Sequence, residues 1–386
     1  MNILFAHDLT LKVYKNNYYS LGTINKDIME RYLIGNDKIY IYARQVKAIE
    51  EPKQLSNINT ENIICIPSNI YHSPTDYFMK HNNLKTEVQK ALKGINFCVV
   101  RLPSFLGGIV YEEAKKIGIP CMVELVGCPW DSLWYYGGIK AKLFSPIMYY
   151  KTKREVKNAK SVLYVTEKFL QKRYPTKGKQ IGCSDVSLPD NDENILIKRL
   201  HKIDEVKKDK IILGTIGNVD VKYKGQELVL DAIYELKKLG YNIEYQMVGG
   251  GQGLKLKEKA KRLKITGNVK YLGLKSHEEI FKWLDNLDVY IHPSRTEGLC
   301  RAVIEAMSRA CPCIVSNVGG NSELINEKYI FKKGNVKSLY SKLLLLINSK
   351  DNMEESSRQN YSRSLDFEKG KLDAKRKEFY NTIIGE

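Results

Sequence analysis

Short apolar runs alternate with longer segments of helical period along most of the chain. In the first half the strand-like runs fall at 2–6, 38–42, 62–67, 96–102, 120–125 and 161–165. Helical candidates at 108–117 and 146–159 lie between the later ones. In the second half strands recur at 210–216, 243–248, 269–272, 287–292 and 313–316, separated by helices at 226–239, 254–263, 277–284 and 302–309. Such alternation predicts an α/β protein built on two doubly wound parallel sheets. A turn-rich stretch, 187–194, followed by a highly charged one, 198–210, puts the domain boundary near 184–209. The expected domains are 1–185 and 186–365. Residues 348–364 are polar, and 367–384 has the pattern of a basic helix.

Composition narrows the class. The chain has 386 residues, 43% of them hydrophobic, which is ordinary for globular packing and long enough for about two domains. No run of apolar residues is long enough for a spanning helix. Met1-Asn2-Ile3-Leu4-Phe5-Ala6-His7-Asp8 turns polar too soon for a signal peptide and reads as a first buried strand. The eight cysteines include no C-x-x-C pair, and Cys65, Cys98, Cys121 and Cys313 sit in apolar runs. Buried thiols in a reducing cytoplasm are the expectation, with no zinc site. Sixty-two Lys and Arg against 44 acids give a net charge of +18, an excess that attracts polyanions. The cations are spread along the chain and no nucleic-acid-binding signature accompanies them. The charge therefore points to a cytoplasmic protein drawn to the anionic inner face of the membrane, with no nucleic-acid partner.

The densest chemistry lies in Pro293-Ser294-Arg295-Thr296-Glu297-Gly298-Leu299-Cys300-Arg301-Ala302-Val303-Ile304-Glu305-Ala306-Met307. Glu297 falls in a strand-to-helix loop and Glu305 about one turn into the helix. Two carboxylates there can accept from two different hydroxyls of a polyol. The amides of Gly298, Leu299 and Cys300 add donors at the positive end of the helix, with Arg301 beside them. A ligand carrying both hydroxyls and phosphate fits. This stretch, with Ala310-Cys311-Pro312-Cys313-Ile314-Val315-Ser316-Asn317-Val318-Gly319-Gly320 after it, resembles the E-x7-E block of family 4 retaining glycosyltransferases with the GT-B fold. The resemblance implies two Rossmann-like domains facing a deep cleft, with a last helix, 366–386, that joins the N-terminal domain.

Gly214-Thr215-Ile216-Gly217-Asn218-Val219-Asp220-Val221-Lys222-Tyr223-Lys224-Gly225 resembles the family's phosphate loop. Gly217 permits close backbone approach to a ligand, and Lys224 is placed as a point charge on a diphosphate. Asn218 departs from the pattern, which has arginine there; Arg295, Lys222 or Arg301 are the candidate substitutes. The turn Met247-Val248-Gly249-Gly250-Gly251 matches the family's glycine turn and is not a dinucleotide fingerprint, because Leu254 stands where the last glycine would be. Tyr271-Leu272-Gly273-Leu274-Lys275 matches the turn that holds the nucleobase through main-chain contacts, so Leu274 joins the donor set.

The first half resembles the family's surface-polysaccharide members in patches. Arg101, Glu124 and Asp131 stand at strand ends and are acceptor-side candidates; a buried Arg101–Glu124 ion pair is the equal alternative. His7 ends the first strand and reads as a structural histidine. The family's glycine-rich loop after that strand is replaced by Leu9-Thr10-Leu11-Lys12-Val13-Tyr14-Lys15, with Gly22 the nearest glycine. Trp130, Trp134 and Tyr135 offer either a sugar- or lipid-facing surface or core packing. Asp190-Asn191-Asp192 has the form of a metal-binding D-x-D but lies in the linker and reads as loop.

The resemblance implies a metal-independent, retaining hexosyltransferase without a cofactor. It would move a sugar from a nucleotide diphosphate donor, a uridine one favoured slightly over a guanosine one, to a glycan or lipid-linked saccharide of capsule, exopolysaccharide or lipopolysaccharide. Glu297 and Lys224 would carry catalysis, while Gly217, Asn218, Gly249, Leu274, Gly298, Leu299, Cys300, Arg301 and Glu305 would complete the donor site. A GT-B nucleotide-sugar epimerase and a non-catalytic nucleotide-sugar-binding protein are the rivals.

Overall fold

The computed structural model describes residues 1–20, 25–33, 37–52, 55–68, 80–136, 138–189, 192–205 and 210–384, except the side chains of Asp27 and Tyr136. Gly22 and, from the linker triplet, Asp190 and Asn191 lie outside the described residues. The chain divides into two compact units. One comprises Met1–Pro129, Pro146–Cys183 and Asp373–Glu386; the other comprises Trp130–Ser145 and Ser184–Leu372.

In the first unit the strands are β1 (Asn2–Tyr14), β2 (Asn17–Ser20), β3 (Lys38–Lys47), β4 (Ser56–Asn57), β5 (Ile63–Cys65), β6 (Phe97–Leu102), β7 (Cys121–Leu125), β8 (Ser161–Tyr164) and β9 (Lys179–Gly182). Parallel pairing gives the order β5-β3-β1-β6-β7-β8-β9, while β2 pairs antiparallel with β1 and with β4. β6 and β8 are buried along their whole length, as the central strands of a doubly covered sheet must be. β1 runs on well past the predicted end at residue 6. Its register against β3 shifts between His7 and Thr10, after which Leu11 is again buried. Lys15 and Asn16, both at positive φ, then close a hairpin into β2, the backbone that a two-residue hairpin turn requires. The segment read as a substitute loop is thus strand.

The helix Ile139–Asn158 begins a full two turns before the predicted start and carries Pro146 inside it. Proline there removes the amide that would reach the carbonyl of Lys142. The Ser145 hydroxyl donates to that carbonyl instead, at 2.8 Å. In the last helix, Lys369–Ile384, Tyr380 stacks on Tyr32 with ring centroids 5.9 Å apart, and Arg376 is buried.

The second unit holds β10 (Ile211–Ile216), β11 (Ile243–Val248), β12 (Val269–Tyr271), β13 (Val289–His292), β14 (Cys313–Ser316) and β15 (Ile330–Phe331), all parallel in the order β12-β11-β10-β13-β14-β15. The chain builds outward from β10 on one side, then returns to its other side at β13. Open sheets bind ligands where the order reverses in this way, beyond the carboxyl ends of the strands. Here that point lies between Ile216 and His292. The charged stretch after the linker and the polar stretch near the end hold the helices Asn194–Asp204 and Lys350–Ser364. Arg199 explains the first: it is buried, and its guanidinium donates to the carbonyls of Leu284 and Leu287 at the end of the helix His277–Asn286. A cation on the negative end of a helix is well placed, but nothing local distinguishes it from a solvated arginine.

No disulfide joins the eight cysteines, seven of which are buried. Among the described residues no helix is long and apolar enough to cross a membrane.

Candidate active site

At the reversal point of the second sheet, β10 delivers the loop Gly217–Gly225 and β13 delivers Pro293–Cys300. Gly225 has φ +73°, and a Cβ there would lie 2.1 Å from the carbonyl oxygen of Pro293. Only glycine allows that approach, and it brings Lys224 against the second loop. The Lys224 ammonium lies 2.7 Å from Glu297 Oε1. The same oxygen lies 2.8 Å from His292 Nε2, and Cys300 Sγ lies 3.2 Å from that nitrogen. Tyr290 hydroxyl stands 3.3 Å from His292 Nδ1. Lys224 and His292 therefore converge on one carboxylate oxygen, and Cys300 and Tyr290 in turn contact the histidine. Within the described residues Oε2 receives no hydrogen bond, and the side chain is 14% exposed, so one oxygen remains open to a ligand.

The electrostatics follow from burial and pairing. Burial alone would favour the neutral acid of Glu297, but the Lys224 charge and the His292 ring hold it well below the usual carboxylate range. Burial would likewise lower His292, yet Cys300 and Glu297 raise it to about 9. His292 is therefore a protonated, 1% exposed cation at neutral pH. His292, Glu297 and Cys300 also present ligand atoms within 4.8 Å of one another, a spacing a metal could use; Lys224 already balances the carboxylate charge there.

The helix Arg301–Ser308 starts at Cys300, and no side chain caps it. Its first-turn amides, with those of Gly298 and Leu299, form an anion-binding end. Glu305 is 15% exposed and stands 3.8 Å from His277 Nε2. That contact raises the His277 pKa.

The glycine turn packs on the phosphate loop. Gly249 has φ +147°, and a Cβ on it would come within 2.3 Å of the Gly217 carbonyl oxygen. Its amide donates to the carbonyl of Gly273, next to Leu274, whose side chain is 77% exposed. Asp220 accepts from the amides of Gln252 and Gly253 and so occupies the N-terminus of the helix Leu254–Arg262. Asn218 is exposed, and its Oδ1 accepts from the Asp220 amide. Of the candidate substitutes for the missing arginine, Arg295 is engaged with Glu227 at 2.6 Å and with the Lys222 carbonyl. Lys222 and Arg301 are exposed.

In the first unit Arg101 and Glu124 are register partners on β6 and β7. Glu124 is 1% exposed, accepts from Tyr32 hydroxyl at 2.7 Å and lies 3.8 Å from Arg101 Nη1. This geometry fits the structural alternative better than an open acceptor site. Asp131 sits half-buried in the first turn of the helix Pro129–Tyr136. His7 Nδ1 accepts from the Leu9 amide, and burial, with Arg101 and Arg44 nearby, lowers its pKa to about 3. Asp8 accepts from the amides of Phe105 and Leu106 at 2.6 and 3.0 Å, filling the start of the helix Phe105–Lys116.

The structure thus joins Lys224 to Glu297 and sets Gly217 against Gly249, but it pairs Glu305 with His277. Sequence reasoning missed His292 and His277. The signal for His292 was its place as the last residue of a buried strand, five residues before Glu297. His277 carried none.

Comparison with known proteins identifies the family of this chain. The family model described as glycosyl transferases group 1 matches residues 197–363. Protein CapJ of Staphylococcus aureus is 37% identical over 362 residues, covering 93% of this chain and 90% of the relative. The capsular polysaccharide biosynthesis glycosyltransferase CapM of the same organism is 26% identical over 160 residues, 41% of each chain. Among solved structures, Anabaena HepE in complex with UDP-glucose superposes with a TM-score of 0.66 at 12% identity, covering 99% of this chain and 100% of that one. The last is a likeness of fold. The chain belongs to the group 1 glycosyltransferases of GT-B fold, in the company of bacterial capsular polysaccharide members.

Proposed function

We propose that this protein transfers a hexose from a nucleotide diphosphate sugar to a hydroxyl of a glycan or lipid-linked saccharide, with retention of anomeric configuration, in capsule or exopolysaccharide synthesis. The observation that carries the reading is the Glu297 carboxylate, held by Lys224 and His292 beside an uncapped helix end. Glu297 Oε2 would accept from donor sugar hydroxyls and Glu305 from the ribose. The first-turn amides and Lys224 would face the diphosphate.

In this reading the acceptor attacks the face that the diphosphate leaves, and a departing phosphate oxygen takes the acceptor proton. Catalysis then rests on positioning and on stabilising developing phosphate charge. Cations and helix dipole supply that charge without a metal. The likeness to the capsular polysaccharide glycosyltransferase CapM supports the pathway, and the likeness of fold to HepE, which is seen in complex with UDP-glucose, supports the uridine donor.

The test is donor-dependent thermal stabilisation of wild type and Glu305→Ala with UDP- and GDP-sugars, then transfer in the presence of EDTA with the product anomer read by NMR. A shift with one nucleotide class that Glu305→Ala abolishes, and a product of unchanged configuration, is expected. No shift with any nucleotide sugar would overturn the reading.

A further inference from the structure

Three side chains of the second unit bring a nitrogen, an oxygen and a sulfur to one point. His292 ends β13, Glu297 lies in the loop after it, and Cys300 opens the helix Arg301–Ser308. Their ligand atoms all lie within 4.8 Å of one another. His292 Nε2 stands 2.8 Å from Glu297 Oε1 and 3.2 Å from Cys300 Sγ. Neighbouring ligands of a tetrahedral zinc ion, with bonds of about 2.0–2.3 Å, are about 3.4–3.6 Å apart. A metal at this point therefore asks the first pair to open by roughly 0.6 Å and the second by roughly 0.3 Å. Sγ also lies 3.6 Å from Nδ1, so a turn of the Cys300 side chain completes the fit.

The surroundings suit a metal as well. Tyr290 hydroxyl, 3.3 Å from His292 Nδ1, supplies the outer hydrogen bond that orients a metal-binding imidazole. His292 and Cys300 are buried, while the partly exposed Glu297 carboxylate opens the point to solvent. The mixed set selects the ion. Magnesium and calcium favour oxygen throughout, whereas zinc takes nitrogen, oxygen and sulfur together. Charge balances too: a neutral imidazole, a thiolate and a carboxylate cancel a divalent cation. Binding releases one proton from His292 and one from the Cys300 thiol. The Lys224 ammonium, 2.7 Å from the same carboxylate oxygen, then loses its counter-charge to the metal, so ion and lysine compete for Glu297.

We infer that His292, Glu297 and Cys300 form a zinc site, and that zinc held there closes the donor site by engaging Glu297. The closure rests on the glycosyltransferase reading; the binding of zinc does not.

The experiment treats the full chain with EDTA, removes the chelator, and titrates Zn2+ against a chromophoric competitor, with Co2+ as the spectroscopic probe. Wild type should take up one equivalent at this site. Its cobalt form should show a thiolate-to-metal charge-transfer band and the strong ligand-field bands of four-coordination. Cys300→Ser should lose the charge-transfer band, and Tyr290→Phe, which keeps all three ligands, should weaken zinc by about tenfold. Thermal midpoints of the metal-free variants check that each is folded. Zinc should also abolish the UDP-glucose-induced thermal shift of wild type, and EDTA should restore it. No zinc uptake, a cobalt spectrum without the charge-transfer band, or Cys300→Ser binding zinc as tightly as wild type would overturn the site. A donor shift that survives stoichiometric zinc would overturn the closure. The cobalt spectrum needs no nucleotide sugar, so failure of the transferase reading and failure of the zinc site are told apart.

Discussion

The buried cation at His292 makes the stability of the second unit depend on pH in a defined direction. In the unfolded chain the ring has its ordinary value of 6.5, and in the fold it is held at about 9. A raised folded value means that the contribution is fully present below 6.5 and is lost as pH climbs through 9. At about 1.4 kcal/mol per unit, His292 contributes about 2–3 kcal/mol at pH 7 and close to nothing by about pH 9.5. His292→Gln keeps a neutral donor of similar reach and removes the titration. Urea unfolding of the two proteins across this range isolates the effect, because every other titrating group is common to both. All three tryptophans, Trp130, Trp134 and Trp283, belong to the second unit, so their fluorescence reports on it. Wild type should exceed His292→Gln at pH 7, and the gap should close by about 2 kcal/mol as pH rises to about 9.5. A gap that stays constant within about 0.5 kcal/mol would refute a charged His292 and leave Glu297 held by Lys224 alone.

Lys224→Met keeps the stem and removes the charge. With the pair only 21% and 14% exposed, it should cost about 1–3 kcal/mol in denaturation, below the cost of a fully buried pair. It should also lower kcat by about 100- to 1000-fold if Lys224 serves the leaving diphosphate; steady-state kinetics decides. Gly249→Ala places a Cβ 2.3 Å from the Gly217 carbonyl at φ +147° and should destabilise by about 2–4 kcal/mol while weakening donor binding, read by denaturation and calorimetry. Asn218→Arg should tighten donor binding by about tenfold through a charge-assisted contact to diphosphate. Unchanged donor affinity would mean that Lys222 or Arg301 already supplies that charge.

The architecture of both sheets and the loop bearing Glu297 were legible because each depends on local pattern. Buried parallel strands are apolar runs, and the 293–307 stretch carries its loop, glycine and helix in one short segment. Lys224 was recognisable as a cation before a helix, but its partner was not. Lys224 and Glu297 are 73 residues apart and meet only because β13 lies beside β10. Which strand becomes the neighbour of β10 is decided by packing whole layers, with no trace in either loop. The same holds for Arg199, whose guanidinium serves a helix end 85 residues away, and for Glu305, whose contact with His277 joins two helices. The continuation of β1 was hidden for a related reason. Its partners over that stretch, β2 on one side and the end of β3 on the other, are set by tertiary pairing. Periodicity sets which segments become helix or strand, because each residue must bury or expose its own side chain. The pairing of charged groups remote in the chain is set by the tertiary fold, because a buried charge is stable only where the fold supplies its partner.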